Sequence, residues 1–268
     1  MAIVKINFFS ESLVRNVNII GILPIDKRSI DGEELRSPDR PMKALYLLHG
    51  VHGCEYDWIV KTRVERWAMQ RNLAVFLVAG ENAFYNDAVP SHNLYAQFMG
   101  KDLIQFTRSM FRLSDKREDT FVAGLSMGGL GSIYTGLRNP ETFGYIGSFS
   151  GAFVAEGYPK DNSGRDVIGM RSYFETVFGK EEDFKGSAAD YYALAEKTSQ
   201  NKELMPQIYM ACGTEDGLIT VNRNFSTYLK ELGYDAISYT GWQVPIITDE
   251  IYGNANIIDI NTEKILNE

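Results

Sequence analysis

Apolar residues enter this chain first in alternation and then in short unbroken blocks divided by helical spacing. The segments AIVKINFFS and VNIIGILP, joined by a short polar turn, predict two strands of an opening antiparallel hairpin. The charged, proline-bearing stretch DKRSIDGEELRSPDRP predicts a surface loop. KALYLL (Lys43 to Leu48) and NLAVFLVAG are compact apolar blocks of the kind buried on both faces of a sheet. Trp58, Ile59, Val64 and Trp67 lie at helical spacing over Tyr56 to Gln70, and Leu94, Phe98, Leu103, Phe106 and Met110 over Asn93 to Phe111. Next come a strand (TFVAGL), a helix over Gly128 to Leu137 and a strand (YIGSFSG). Later PQIYMACG predicts a strand, Leu218, Val221, Phe225, Leu229 and Leu232 mark a helix face, and DAISYT predicts a last strand.

Strands alternating with helices imply an α/β fold, with a mainly parallel sheet covered on both faces. The pattern is read as one domain over residues 1–268, with 155–200 as a helical insertion over one end of the sheet and 241–268 as an atypical tail. The insertion is rich in aromatic residues (Tyr158, Tyr173, Phe174, Phe178, Phe184, Tyr191, Tyr192). Pocket lining, core packing and burial against a second copy in a homo-oligomer all stay open for them.

Composition narrows the function. A net charge of −8 argues against a phosphate-binding surface, so nucleic acid is not an expected partner. No apolar run approaches the length that spans a bilayer, and the N-terminus reads as a strand instead of a signal peptide. Two cysteines, Cys54 and Cys212, make no disulfide framework, and a reduced cytoplasm is the expected compartment. Three histidines and two distant cysteines give no metal-ligand spacing, and no phosphate-cradling loop is present, so neither metal nor cofactor is expected.

The chemistry-bearing stretch is TFVAGLSMGGLG, Thr120 to Gly131: a strand, a glycine-flanked serine and a helical start. Small residues at Gly124 and Gly128 let strand and helix approach closely while Ser126 is held in a strained turn. The same turn puts Ser126 at a helix N-terminus, where free N–H groups favour an oxyanion, although a plain serine cap would also fit there. LLHGVHGCEYDW follows an early strand, where an oxyanion loop belongs; Gly50 would let the N–H of Val51 face the N–H of Met127, with His49 holding the loop. ACGTEDGL follows a late strand, so Glu215 or Asp216 is a candidate acid, with Asp216 preferred and a helix-capping carboxylate the alternative.

The pieces LYLLHGVHGCEYDW, AGLSMGGLGS, FGYIGSFSGAF and CGTEDGL, in this order, resemble the tributyrin esterase branch of the esterase D (feruloyl esterase-like) α/β-hydrolases. The resemblance covers about Lys5 to Tyr239. It implies a serine esterase acting on small-molecule short-chain acyl esters, some members also taking acetylated or feruloylated polysaccharides. Matched by motif, Ser126 is the nucleophile, Asp216 the acid, Val51 and Met127 the oxyanion donors, and Trp58 a residue near the acyl pocket.

One departure stands out. The family closes its triad with a histidine just after the last strand, whereas here GWQVPIITDEIYGNANIIDINTEKILNE follows and no histidine occurs after His92. A serine hydroxyl without an adjacent base is a poor nucleophile. Three expectations follow: that His92, or failing it His52, reaches Ser126; that the tail is a replaced or frame-shifted C-terminus on an esterase body; or that the chain is a non-catalytic scaffold binding acyl or glycan ligands.

Overall fold

The computed structural model describes residues 1–26, 29–30, 33–34, 40–88, 91–154 and 157–239. An eight-stranded sheet organises them, and its strands are β1 (Ala2–Ser10), β2 (Arg15–Leu23), β3 (Lys43–Leu48), β4 (Leu73–Val78), β5 (Thr120–Leu125), β6 (Tyr145–Phe149), β7 (Gln207–Ala211) and β8 (Ala236–Tyr239). Their order across the sheet is β1-β2-β4-β3-β5-β6-β7-β8. β1 and β2 form the expected hairpin, Ala2 opposite Leu23 and Ser10 opposite Arg15, and β2 runs antiparallel to β4. Every remaining pairing is parallel.

The central parallel strands are apolar over most of their length because both faces are covered. Alternate residues go to opposite sides: Ala44, Tyr46 and Leu48 of β3 join one core cluster, Leu45 and Leu47 the other. On the first face lie helix Met127–Arg138 and helix Ile219–Glu231; on the second, Trp58, Val64 and Ala68 pack against Phe121, Val75 and Leu77.

Two helices differ from the expected ones. Tyr56 to Gln70 splits into Asp57–Lys61 and Val64–Gln70. Thr62 breaks it: its backbone is extended, its hydroxyl turns back to the Trp58 carbonyl, and it accepts the Val64 N–H at 3.2 Å. The Asn93 to Phe111 helix starts at Tyr95, because Asn93–Leu94 pairs with Asp87–Ala88, and Asp87 then caps the Ala96 N–H at 2.8 Å. A π-helical turn at Phe98–Asp102 follows, and Asp102 receives both Ser10 Oγ at 2.6 Å and Ser12 Oγ at 3.0 Å, which ties the hairpin to this helix.

Between β6 and β7, Tyr158, Phe174, Phe178, Phe184 and Tyr191 lie in the main core, the second and third on helix Arg171–Phe178 and the last on helix Tyr191–Ser199, while Tyr173 and Tyr192 pack at its margin. The two short strands Ser29–Ile30 and Glu33–Glu34 make a small ribbon within the predicted loop. The expectations for the tail, 241–268, lie outside the described residues.

Candidate active site

Ser126 occupies the one residue between β5 and helix Met127–Arg138, with φ 56° and ψ −113°. A non-glycine residue there is strained, and such strain persists only where its surroundings over-determine it. They do so here. A Cβ on Gly124 would sit 2.3 Å from the Gly128 carbonyl oxygen, and one on Gly128 would sit 2.3 Å from the Leu48 carbonyl oxygen. The Ser126 N–H donates to Phe149 O at 2.8 Å, and its carbonyl accepts the N–H groups of Leu130 (3.1 Å) and Ala152 (3.0 Å). Ser126 is half-buried, and the first N–H groups of the helix, Met127 included, lack intrahelical acceptors.

The loop after β3 lies against this turn: a Cβ on Gly50 would stand 3.5 Å from Ser126 Cβ. His49 is buried and fastens that loop as expected. Its Nε2 accepts the Gly80 N–H at 2.9 Å, so Nδ1 carries the proton and donates to Gly50 O at 2.7 Å. Burial holds the imidazole below its usual pKa, against the opposing pull of the Gly50 carbonyl and the carboxylates of Asp57 and Glu55. Val51 is half-buried, and His52 follows it in a left-handed conformation, φ 62°.

Asp216 is 2% exposed, while Glu215 beside it is exposed. Its Oδ2 accepts from Ser150 Oγ at 2.8 Å and its Oδ1 from the Leu218 N–H at 2.9 Å. The following helix begins at Ile219 with no side-chain cap, so Asp216 braces the turn before the helix and does not occupy the N-cap itself. Burial and a side-chain donor distinguish it from an ordinary capping carboxylate.

The segment after β6 joins these two centres. Phe149 and Ala152 bond the backbone of Ser126, Ser150 bonds the Asp216 carboxylate, and Gly151 exchanges hydrogen bonds with the Asn222 amide at 3.1 and 2.9 Å. Ser150 is fully buried with φ 43°. Sequence reasoning took YIGSFSG as a strand and so missed Ser150; no spacing signal marks it, because its partners lie far along the chain.

His92 and His52 are both exposed, and neither ring makes a hydrogen bond to Ser126 among the described residues. Trp58 is 4% exposed, edge-on to Phe149 with ring centroids 6.5 Å apart, and its buried indole N–H finds no acceptor among the described residues. The arrangement gives a strained serine at a helix start, a glycine loop beside it and a buried carboxylate linked to it. All three sit at the carboxyl ends of parallel strands, where open α/β sheets carry their sites.

Comparison with known proteins agrees with this fold. The Esterase family model ("Putative esterase") matches residues 10–242. An acetyl esterase of Caldicellulosiruptor saccharolyticus is 40% identical over 246 residues, covering 88% of this chain and 89% of that protein. The structure of a Staphylococcus aureus fluorophosphonate-binding serine hydrolase, FphF, superposes with a TM-score of 0.78 at 25% identity, over 98% of each chain. A different kind of match is the aspartokinase of Bacillus sp. (strain MGA3): 62% identical over 37 residues, which are 14% of this chain and 9% of that protein. Fold, motif order and family match converge, and the chain belongs to the Esterase family, carboxylic ester hydrolases of the α/β-hydrolase fold.

Proposed function

We propose that Ser126 is the nucleophile of a short-chain carboxylesterase. The observation that carries the reading is its strained backbone between β5 and the helix, locked by Gly124, Gly128 and the segment after β6. Ser126 Oγ attacks the ester carbonyl and loses its proton to a base. The N–H groups of Val51 and Met127 receive the oxyanion, the alcohol leaves with a proton, and water releases the acid from the acyl-enzyme. Asp216 orients and compensates the protonated base. The 40% identity to an acetyl esterase supports small acyl groups, and the unpaired state of Cys54 and Cys212 supports a reducing, cytoplasmic setting. The test is hydrolysis of p-nitrophenyl acetate and butyrate by the wild type beside Ser126→Ala, with intact mass. An acyl adduct of 1:1 stoichiometry, absent in the variant, is expected; equal inertness of both proteins would hand the fold to the binding-scaffold reading.

The second reading concerns the base, and the aspartokinase match favours it. The family model stops at residue 242, and the sequence beyond it holds no histidine. We assign the aspartokinase-like stretch to this end of the chain, as a segment of other parentage standing where the family carries its histidine. No aspartokinase activity comes with it, since the stretch is 9% of that enzyme. Ser126 is then acylated slowly and turns over poorly, since removal of a triad histidine costs on the order of 10⁶-fold in kcat in the subtilisin case. Replacing residues from Gly241 onward with a histidine-bearing family segment should raise turnover by orders of magnitude. No gain, together with loss of activity in His92→Ala, would make His92 the base instead.

A further inference from the structure

Left-handed backbone at non-glycine residues clusters in the turn after β4: Glu81 (φ 48°), Phe84 (φ 51°) and Tyr85 (φ 52°). For a bulky aromatic residue this conformation is an outlier, and outliers of this kind persist where the surroundings impose them. The turn contains none of the residues assigned to the reaction, yet it touches the loop that carries Val51 at three places. The Gly80 N–H donates to His49 Nε2 at 2.9 Å, the Tyr85 hydroxyl donates to His49 O at 3.2 Å, and the His52 N–H donates to Asn82 Oδ1 at 2.9 Å. These contacts hold the residues on either side of Gly50 and Val51.

Tyr85 also reaches the other half of the site. Its ring fills the space that a Cβ on Gly131 would need, 2.4 Å from Tyr85 Cδ2, so it lies directly on the helix whose first N–H belongs to Met127. On its other side the same ring leaves no room for a Cβ at Gly80, 2.2 Å away. The ring is fully buried, and burial pushes its phenol well above the usual range, so the hydroxyl remains a donor. Asn82 is fastened in turn by the insertion, whose Tyr173 hydroxyl donates to the Asn82 carbonyl. The three contacts are local, but a polar group held by two neighbours loses much of its freedom to drift, and drift of about 1 Å at an oxyanion donor costs up to about 10²-fold in rate.

We propose that Tyr85 and Asn82 are positioning residues of the oxyanion hole: together they set the loop carrying Val51 against the helix start carrying Met127, with Tyr173 tying the insertion to that brace. The proposal rests on the reading of Ser126 as nucleophile and of Val51 and Met127 as its oxyanion donors.

The experiment measures the rate at which a fluorophosphonate labels Ser126 by intact mass, and the burst rate with p-nitrophenyl acetate. The proteins are the full-length wild type, Tyr85→Phe, Asn82→Ala, Asn82→Asp and Ser126→Ala. Asn82→Ala should label about tenfold more slowly and Tyr85→Phe several-fold more slowly, each at unchanged saturation concentration, since the loss is in the charged tetrahedral state and not in ground-state binding. Asn82→Asp, which keeps an oxygen for the His52 N–H, should recover most of the rate. A merely structural role would lower the melting temperature and leave the labelling rate of the folded protein alone. Wild-type rates in Tyr85→Phe and Asn82→Ala, with Ser126→Ala unlabelled, would overturn the proposal and leave the nucleophile standing. Labelling of Ser126→Ala at the wild-type rate would overturn the reading beneath it. Should Asn82→Ala fail to fold, Tyr85→Phe, which removes a single oxygen, decides the question.

Discussion

Around Ser126 the holding is done by backbone. Three main-chain hydrogen bonds fix its N–H and carbonyl, and two glycines let β5, the helix and the end of β3 approach to distances no Cβ allows. Around Asp216 side chains share the holding with the backbone: the Ser150 hydroxyl and the Leu218 N–H on the carboxylate, and the Asn222 amide on Gly151 and on the Leu218 carbonyl. The two regions are a few residues apart in space through Phe149 to Ala152, but they fail in different ways. A backbone-built turn is all or nothing, because its geometry is steric. A loop set by side-chain hydrogen bonds loses its parts singly, at the cost of one bond each.

The largest effect is therefore expected at the glycines. Gly128→Ala would put its Cβ against the carbonyl oxygens of Leu48 at 2.3 Å and His49 at 2.8 Å, both backbone atoms that no rotamer change can move. Destabilisation of about 3 kcal/mol or more is expected, at or beyond the upper end for overpacked sites, with loss of any Ser126 adduct. Urea denaturation and intact mass after fluorophosphonate treatment check both. A stable, fully reactive Gly128→Ala protein would end the claim that the turn is sterically fixed.

The same contrast explains what the sequence made legible. Gly124, Ser126 and Gly128 lie two residues apart, and the steric requirement of Gly124 against the Gly128 carbonyl leaves a local residue pattern. So do β3, β4 and β5, whose burial on both faces writes itself as unbroken apolar blocks. Asp216 was legible by its place after a strand. Ser150 was not, since its role depends on a carboxylate 66 positions later, and nor were Asn82 and Tyr85, whose partners lie 30 and 36 positions earlier. The helix break at Thr62 escaped for a related reason: a hydroxyl folding back on its own helix leaves the apolar spacing unchanged.

An intermediate effect is expected from Ser150→Ala. It removes one donor from a carboxylate that is 2% exposed and leaves the Leu218 N–H in place. The expected cost is about 1–3 kcal/mol, the penalty of an under-satisfied buried acceptor, with the chain still folded and Ser126 still labelled. Chemical denaturation gives the first quantity and labelling the second. If Ser150→Ala abolished labelling as Gly128→Ala does, the two regions would be one cooperative unit and the distinction between them would fall.

The smallest effect probes a side chain on the Ser126 side, His49, which holds the loop carrying Val51 together with Tyr85 and Asn82. His49 Nε2 must be unprotonated to accept the Gly80 N–H, and burial, the dominant influence, holds its pKa below the ordinary value. The unfolded chain takes up that proton near pH 6.5, the folded chain only at lower pH. Between those points the unfolded state binds more protons, so the free energy of unfolding rises with pH. The His49 contribution is complete above about pH 6.5 and declines as the pH falls below it. Urea midpoints of the wild type and His49→Gln, compared at pH 7.5 and pH 5.5, isolate the effect: the wild type should lose more stability on acidification than the variant. Parallel losses would mean that protonated His49 is tolerated in place, and that the loop carrying Val51 owes its position to Tyr85, Asn82 and the backbone alone.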